Sequence, residues 1–244
     1  MRKGIYILPN LLTVGGMFFG FYSIIASIKG DFERAAWSIL IAAVFDALDG
    51  WVARMTKSTS RFGVELDSLS DLVSFGVAPA VLMYIWALVP FRRLGWLAAF
   101  LVVACGALRL ARFNVQMVGS EKKYFTGLPI PGGAAVLATT VIFHRDVFAR
   151  PPAYNPMFLL ETFLVAVLMI STIRFHSLKE LNVRDRRPFW MLLIAVVILV
   201  SVALDPPKVL FAISVSYVGW AIIEFILTFR KRRAKIRPEQ KVAP

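Results

Sequence analysis

The sequence predicts an all-α fold: a multi-pass transmembrane helical bundle with about eight spans and both termini in the cytoplasm. Of its 244 residues, 58% are hydrophobic, and the mean hydropathy is +0.70. A soluble domain of this length is nearer half apolar and spreads its charged residues evenly. Here the charged residues cluster between long apolar runs, which is typical of a membrane protein.

Eight apolar runs approach the roughly 20 residues that a helix needs to cross a bilayer. The first run follows charged residues, as in a cleavable signal peptide, but it is long enough to span and no clear small-residue cleavage site follows it. Asp205, Pro206 and Pro207 separate the last two runs, and a helix cannot continue through this turn. The predicted spans are approximately residues 9–28, 34–54, 67–88, 94–114, 131–148, 157–174, 188–204 and 207–228.

Basic residues set the predicted orientation. If the N-terminus is cytoplasmic, most of the 28 Lys and Arg residues fall in cytoplasmic segments, as the positive-inside rule requires. An even number of spans then places both termini inside. Residues 1–229 are expected to form a single membrane-embedded domain, and residues 230–244 a basic cytoplasmic tail that meets anionic membrane lipids.

Two simple counts exclude other classes of protein and site. The net charge of +13 is explained by basic loops, and no nucleic-acid-binding motif is present, so no nucleic acid partner is expected. Cys105 is the only cysteine, which excludes an intrachain disulfide.

Four aspartates form the one constellation with clear chemistry. Asp46 and Asp49 stand three residues apart near the end of the second span, and Asp67 and Asp71 stand four apart near the start of the third. Both spacings place a pair on one helix face. Two antiparallel helices joined by a short cytoplasmic connection would bring all four carboxylates to one depth.

Divalent metal offers the simplest way to hold such a cluster together. Unpaired carboxylates at that depth repel one another and cost several kcal/mol to desolvate. Oxygen ligands suit Mg²⁺, Mn²⁺ or Ca²⁺, and four carboxylates allow a two-metal site. The alternatives are helix-end charges facing water, ion pairs with Arg54 and Arg61, or a divalent-cation transporter, which would need carboxylates at several depths.

Residues 46–71 resemble the signature of the CDP-alcohol phosphotransferase family, D-x2-D-G-x2-A-R-x8-G-x3-D-x3-D, with every fixed position filled. Members transfer a phosphate-linked group from a CDP-activated donor to an alcohol and release CMP. Further stretches resemble one branch, the membrane-embedded phosphatidylserine synthases. These stretches are LPNLLTVGGMFFGFYSI, DSLSDLVSFGVAPA, ALRLARFNV, FTGLPIPGGAA and STIRFHSLKEL.

The resemblance implies a role for each residue of the motif. Asp46, Asp49 and Asp67 look like metal ligands that hold the pyrophosphate of the donor, CDP-diacylglycerol. Asp71 would complete the metal site and act as general base toward the acceptor hydroxyl. The residues expected to border the nucleotide are Gly50, Ala53, Arg54 and Gly63, with Asn10 and Thr13 from the first helix.

The acceptor implied by the branch is L-serine, whose carboxylate needs a cationic partner. Arg109, Arg112, Asn114 and Lys123 are the candidates, although positive-inside anchoring or binding of lipid phosphate explains the arginines equally well. A sibling enzyme with choline, inositol phosphate or glycerol phosphate as acceptor is the nearest alternative. The resemblance also implies a homodimer. The expected cofactor is Mg²⁺ or Mn²⁺, and the distribution of basic residues predicts a site facing the cytoplasm. The expected location is a bacterial cytoplasmic (inner) membrane.

Overall fold

The computed structural model describes residues 7–56, 60–117, 125–149, 152, 154–171, 174–175 and 188–236. Two strands of two residues each, β1 (Phe125–Thr126) and β2 (Arg174–Phe175), pair antiparallel. Apart from this ladder the predicted all-α fold is confirmed for the described residues. The helices are α1 (Ile7–Ile28), α2 (Phe32–Thr56), α3 (Arg61–Asp71), α4 (Ala78–Met83), α5 (Arg93–Met117), α6 (Ile130–Phe148), α7 (Pro156–Ile170), α8 (Pro188–Leu204) and α9 (Pro206–Ile236).

Four helical segments of the described chain are long and apolar enough to cross a membrane: Ile7–Ile28, Phe32–Thr56, Arg61–Phe91 and Arg93–Val115. The third is the central one, because 61% of its most apolar window is buried, against 33% for each of the first two. Helix α7 is shorter but also apolar. The total of eight spans and the cytoplasmic termini stay predictions.

The predicted sixth span is too long at its C-terminal end. We expected a helix over residues 157–174, but α7 ends at Ile170, and Arg174 lies in β2. Helix α7 ends where the segment before α6 crosses it: the Leu128 backbone N–H donates to the Leu168 carbonyl at 2.9 Å. Gly127, at φ +86°, makes this approach possible, because a Cβ there would collide with the Met169 carbonyl oxygen.

The third segment changes its helical pitch directly after Asp71. A π-helical turn, Leu72–Val77, follows α3, and a second one, Tyr84–Leu88, follows α4. Pro79 lies at the start of α4 and lacks the N–H that an α-helix would use there, so the helix widens ahead of it. π-helical turns inside longer helices are frequent at functional sites, and the first of the two, Leu72–Val77, begins directly after Asp71.

Helix α1 packs closely against both neighbouring segments. At Gly20 the approach to the third segment is closest, because a Cβ there would lie 2.6 Å from the Ser74 Cα atom. Ser74 also donates its hydroxyl to the Gly16 carbonyl at 3.2 Å. Small residues and interhelical hydrogen bonds of this kind are how membrane helices associate.

We expect Gly20→Ala to lower the free energy of unfolding by about 1–3 kcal/mol, because the new methyl group meets backbone that cannot move aside. Thermal unfolding of the purified protein in detergent measures the change. Gly219→Ala in α9 is the matched control: nothing lies within 4 Å of its Cβ position, so it should be neutral or stabilising. Equal stability of Gly20→Ala and the wild type would contradict the close packing.

Candidate active site

The two aspartate pairs meet where the end of α2 faces the start of the third segment. One carboxylate oxygen from each of Asp46, Asp49 and Asp67 can be chosen so that all three lie within 4.8 Å of one another. Asp71 lines the same cleft. The predicted juxtaposition of the four side chains is therefore present in the structure, although their chemical roles are not tested by it.

Local sequence accounts for where these helices begin and end. Ser60 caps the N-terminus of α3, accepting a hydrogen bond from the Gly63 backbone N–H at 3.0 Å. Asp67 and Asp71 then lie on the second and third turns of the helix. At the other side, Arg54 occupies the last turn of α2, where a cation is favoured by the helix dipole.

The cleft between the pairs is small and polar. Its volume is about 10 Å³, room for about one water-sized species. A metal ion fits between the carboxylates, whereas a nucleotide has to bind beside the cleft. The lining residues are Thr13, Gly16, Ala42, Asp46, Asp49, Asp67, Ser70, Asp71, Ser74 and Phe75.

The donor atoms of the cluster suit a hard divalent cation. Every candidate ligand in it is a carboxylate oxygen, the type that Mg²⁺ and Mn²⁺ prefer over nitrogen or sulfur. Three carboxylates this close repel one another unless a cation or a proton lies among them. The residues present therefore fit a divalent metal, with Asp46, Asp49 and Asp67 as the residues able to hold it.

The predicted donor-binding residues do not all have the same surroundings. Arg54 is exposed, and one of its guanidinium nitrogens lies 3.3 Å from the Cβ position of Gly50. The side-chain oxygen of Asn10 lies 3.2 Å from the Cβ position of Gly63. Ala53 is half-buried. None of these described residues is among those that line the cleft between the aspartates.

Thr13 differs from these residues because it is buried within the cluster. Its hydroxyl oxygen lies 2.6 Å from Asp49 Oδ2. The side chain therefore faces a carboxylate, and the nucleotide contact predicted for it stays a prediction.

The predicted acceptor residues separate into two groups. Arg109 is partly buried on α5 and interacts electrostatically with Asp71 and with Tyr217 of α9. Its Nε atom is buried, with no hydrogen-bond partner among the described residues. Arg112 is exposed. Asn114 donates its side-chain amide to the Ser68 hydroxyl at 2.9 Å, which joins α5 to α3. Lys123 lies outside the described residues.

Three residues near the site were not predicted from the sequence. Ser70 and Ser74 donate hydrogen bonds to the Thr13 and Gly16 carbonyls of α1, at 3.1 and 3.2 Å. The spacing of four between these serines indicates a shared helix face and was available in the sequence. Nothing local to Tyr217 indicates its place beside Arg109, because the two residues lie on helices far apart in the chain.

Comparison with known proteins bears on this site directly. The profile of the family described as CDP-alcohol phosphatidyltransferase matches residues 6–173. This match covers more than half of the chain and includes all four aspartates. The chain belongs to this family. The membership confirms the resemblance carried by residues 46–71.

Curated relatives of this chain match it over different shares of its length. A Helicobacter pylori (strain J99) protein named CDP-diacylglycerol–serine O-phosphatidyltransferase is 35% identical over 230 residues, covering 93% of this chain and 94% of the relative. A Methanothermobacter thermautotrophicus protein named archaetidylserine synthase is 44% identical over 172 residues, 69% of each chain. A Methanocaldococcus jannaschii protein with the same name as the Helicobacter one is 52% identical over 100 residues, 41% of this chain and 46% of the relative.

Proposed function

We propose that this chain transfers the phosphatidyl group of CDP-diacylglycerol to the hydroxyl of L-serine, giving phosphatidylserine and CMP. The observation that carries the proposal is the carboxylate cleft of Asp46, Asp49, Asp67 and Asp71. It occurs in a chain 35% identical, over nearly its whole length, to a relative named for this reaction.

The aspartates divide the work between metal binding and proton transfer. Asp46, Asp49 and Asp67 would hold Mg²⁺ or Mn²⁺, and Asp71 would complete a site for two ions. When bound, the metal offsets negative charge on the donor's pyrophosphate and on the departing phosphate. The three carboxylates would hold this charge-stabilising centre in the cleft.

Asp71 acts as the general base. A serine hydroxyl is a weak nucleophile until a base takes its proton. As the hydroxyl proton moves to Asp71, the serine oxygen forms a bond to the phosphorus that bears the diacylglycerol. The bond from that phosphorus to the oxygen bridging it to the cytidylyl phosphate breaks, and CMP leaves with the bonding electrons. Asp71 is the last residue of α3, directly before the π-helical turn Leu72–Val77.

The mouth of the cleft receives the donor nucleotide. Gly50 and Gly63 let it approach the backbone closely, and Ala53 keeps the same surface small. Arg54 pairs with donor phosphate, and Asn10 supplies a hydrogen-bonding side chain beside Gly63.

Arg109 is the acceptor-binding residue that we favour, because it interacts electrostatically with Asp71 and its buried Nε has no hydrogen-bond partner among the described residues. A guanidinium there can pair with the serine carboxylate while Asp71 receives the hydroxyl proton. Asn114 holds α5, the helix that carries Arg109, against α3 through its hydrogen bond to Ser68. Arg112 and Lys123 belong to the same predicted set.

We expect Arg109→Gln to raise the KM for L-serine about 10- to 100-fold, since a hydrogen bond to a charged group contributes about 1.5–3 kcal/mol, and to change the KM for CDP-diacylglycerol little. Initial-rate measurements at varied serine give the comparison. Arg112→Gln, on the same helix but exposed, should have a smaller effect. Similar KM values for both variants would contradict the assignment of Arg109.

The chain is proposed to work as a homodimer with eight spans, both termini in the cytoplasm and the site facing the cytoplasm, in a bacterial cytoplasmic membrane. The distribution of Lys and Arg supports this orientation. Residues 1–229 would form the membrane domain and residues 230–244 a basic tail at the anionic lipid surface.

An acceptor panel tests the proposed reaction. Purified protein in detergent receives CDP-diacylglycerol, Mg²⁺ or Mn²⁺, and labelled L-serine, choline, inositol phosphate or glycerol phosphate in parallel. We expect label in lipid with serine alone, together with release of CMP. Lipid product with another acceptor but not with serine would keep the family and contradict the serine assignment, while no CMP with any acceptor would contradict the enzymatic proposal itself.

A further inference from the structure

Thr13 makes an unusual pair of contacts for a residue of the first helix. Its hydroxyl oxygen lies 2.6 Å from Asp49 Oδ2 and 3.1 Å from the Pro9 carbonyl oxygen. A hydroxyl has one proton to donate. The carboxylate is the closer acceptor and carries charge, and hydrogen bonds to charged acceptors are shorter and stronger than neutral ones. The proton is therefore directed to Asp49.

Asp49 is the member of the metal triad whose orientation most needs such a partner. It is the one buried residue of the three, with 5% of its surface exposed. Each carboxylate oxygen offers more than one acceptor position, so the Thr13 bond leaves room for a metal ion on the same group. Carboxylate ligands in metal sites are generally fixed by such outer partners.

The backbone of Thr13 reaches the other aspartate pair. Its carbonyl accepts the Ser70 hydroxyl at 3.1 Å, and Ser70 directly precedes Asp71. Ser74 repeats the contact one turn later on the Gly16 carbonyl. Helix α1 contributes no carboxylate to the cluster, yet it connects the helix that carries Asp49 with the helix that carries Asp67 and Asp71.

We infer that Thr13 is a positioning residue of the metal site. Its hydroxyl orients Asp49, and its carbonyl accepts the hydrogen bond of Ser70. Through these two contacts α1 keeps the two aspartate pairs at the separation that metal binding needs. This role replaces the nucleotide contact predicted for Thr13 from the sequence. It rests on the proposed function only in requiring that the aspartate cluster binds a divalent metal.

The affinity of the purified protein for Mn²⁺, measured from the electron paramagnetic resonance signal of free Mn²⁺, tests this role without any turnover. Thr13→Val removes the hydroxyl and keeps the branched shape, and should weaken Mn²⁺ binding about 10- to 100-fold, the usual effect of losing an outer partner of a metal ligand. Thr13→Ser keeps the hydroxyl and should restore most of the affinity. Thr13→Ala serves the same purpose if the valine variant does not fold.

Thr162→Val is the matched control. Thr162 is fully buried in α7, and within the described part of the chain its hydroxyl donates to its own helix alone, at the Phe158 carbonyl 2.7 Å away. This variant should bind Mn²⁺ as the wild type does.

The possible outcomes separate the positioning role from the proposed function. Unchanged Mn²⁺ affinity in Thr13→Val overturns the positioning role. If the same variant instead raises the KM for CDP-diacylglycerol, the nucleotide contact is the correct reading. Absence of Mn²⁺ binding by the wild-type protein overturns the metal site itself, and with it the proposed function.

Discussion

Replacing Asp71 with Asn is expected to lower kcat for transfer to L-serine by about 10²–10⁴-fold, the contribution typical of a positioned general base. Asparagine keeps the size of the side chain but cannot accept the serine proton. The triad of Asp46, Asp49 and Asp67 remains intact in this variant, so binding of the Mn²⁺ ion held by the triad should persist, although the second ion that Asp71 helps to hold should bind more weakly. Steady-state rates of CMP release, with Mn²⁺ affinity measured alongside, give both quantities.

Asp31→Asn is the control for that substitution. Asp31 precedes α2 at the end remote from the site and pairs at 3.3 Å with Arg34, whose side chain is largely open to solvent. Its loss should leave kcat unchanged. A normal kcat in Asp71→Asn would contradict the assigned base, and loss of Mn²⁺ binding in that variant would show that Asp71 acts mainly as a metal ligand.

Removal of metal should abolish transfer, and its effect on stability should depend on Asp67. With EDTA present, the triad carboxylates repel one another, since oxygens from all three lie within 4.8 Å. Asp67→Asn removes one of these charges, so its melting temperature in EDTA should exceed that of the wild type. In Mn²⁺ the order should reverse, because the wild type gains more stability from binding the ion.

The expected size of the Asp67→Asn effect is given by the affinity for Mn²⁺. Loss of a direct ligand should weaken binding by more than the roughly 100-fold upper range for outer partners. Asp146→Asn is the matched control. The carboxylate of Asp146 lies 3.9 Å from the Lys208 ammonium, in a different part of the bundle, so this variant should keep wild-type affinity for Mn²⁺. If Asp67→Asn were destabilised in EDTA and in Mn²⁺ alike, the three carboxylates would not form one metal site.

The helical fold could be predicted because its signals are local. Apolar runs separated by charge give the helices, and Pro206 and Pro207 mark the break between α8 and α9, which the structure confirms. The end of α7 could not be predicted in this way. It depends on a hydrogen bond from Leu128, a residue distant in sequence, and an apolar run by itself does not indicate where such a contact will occur.

The aspartate cluster could be predicted for a similar reason: spacings of three and four place each pair on one face, and a short connection makes the helices antiparallel. The contacts that hold the aspartate cluster in place could not be predicted from the sequence. The hydrogen bonds of Thr13 and Ser70, and the electrostatic interaction of Tyr217 with Arg109, depend on the packing of α1 and α9 against other helices. Arg109 and Arg112 also look equivalent in sequence, and only burial distinguishes them.

The most direct test of the account is to locate the metal in crystals grown with Mn²⁺ and CDP. An anomalous difference map should show Mn²⁺ between the carboxylates of Asp46, Asp49 and Asp67, with the pyrophosphate of CDP on the side of the ion facing Arg54. Bound CDP with no Mn²⁺ at this position, or Mn²⁺ bound only elsewhere, would contradict the claim that the aspartate cluster is the metal centre for phosphatidyl transfer.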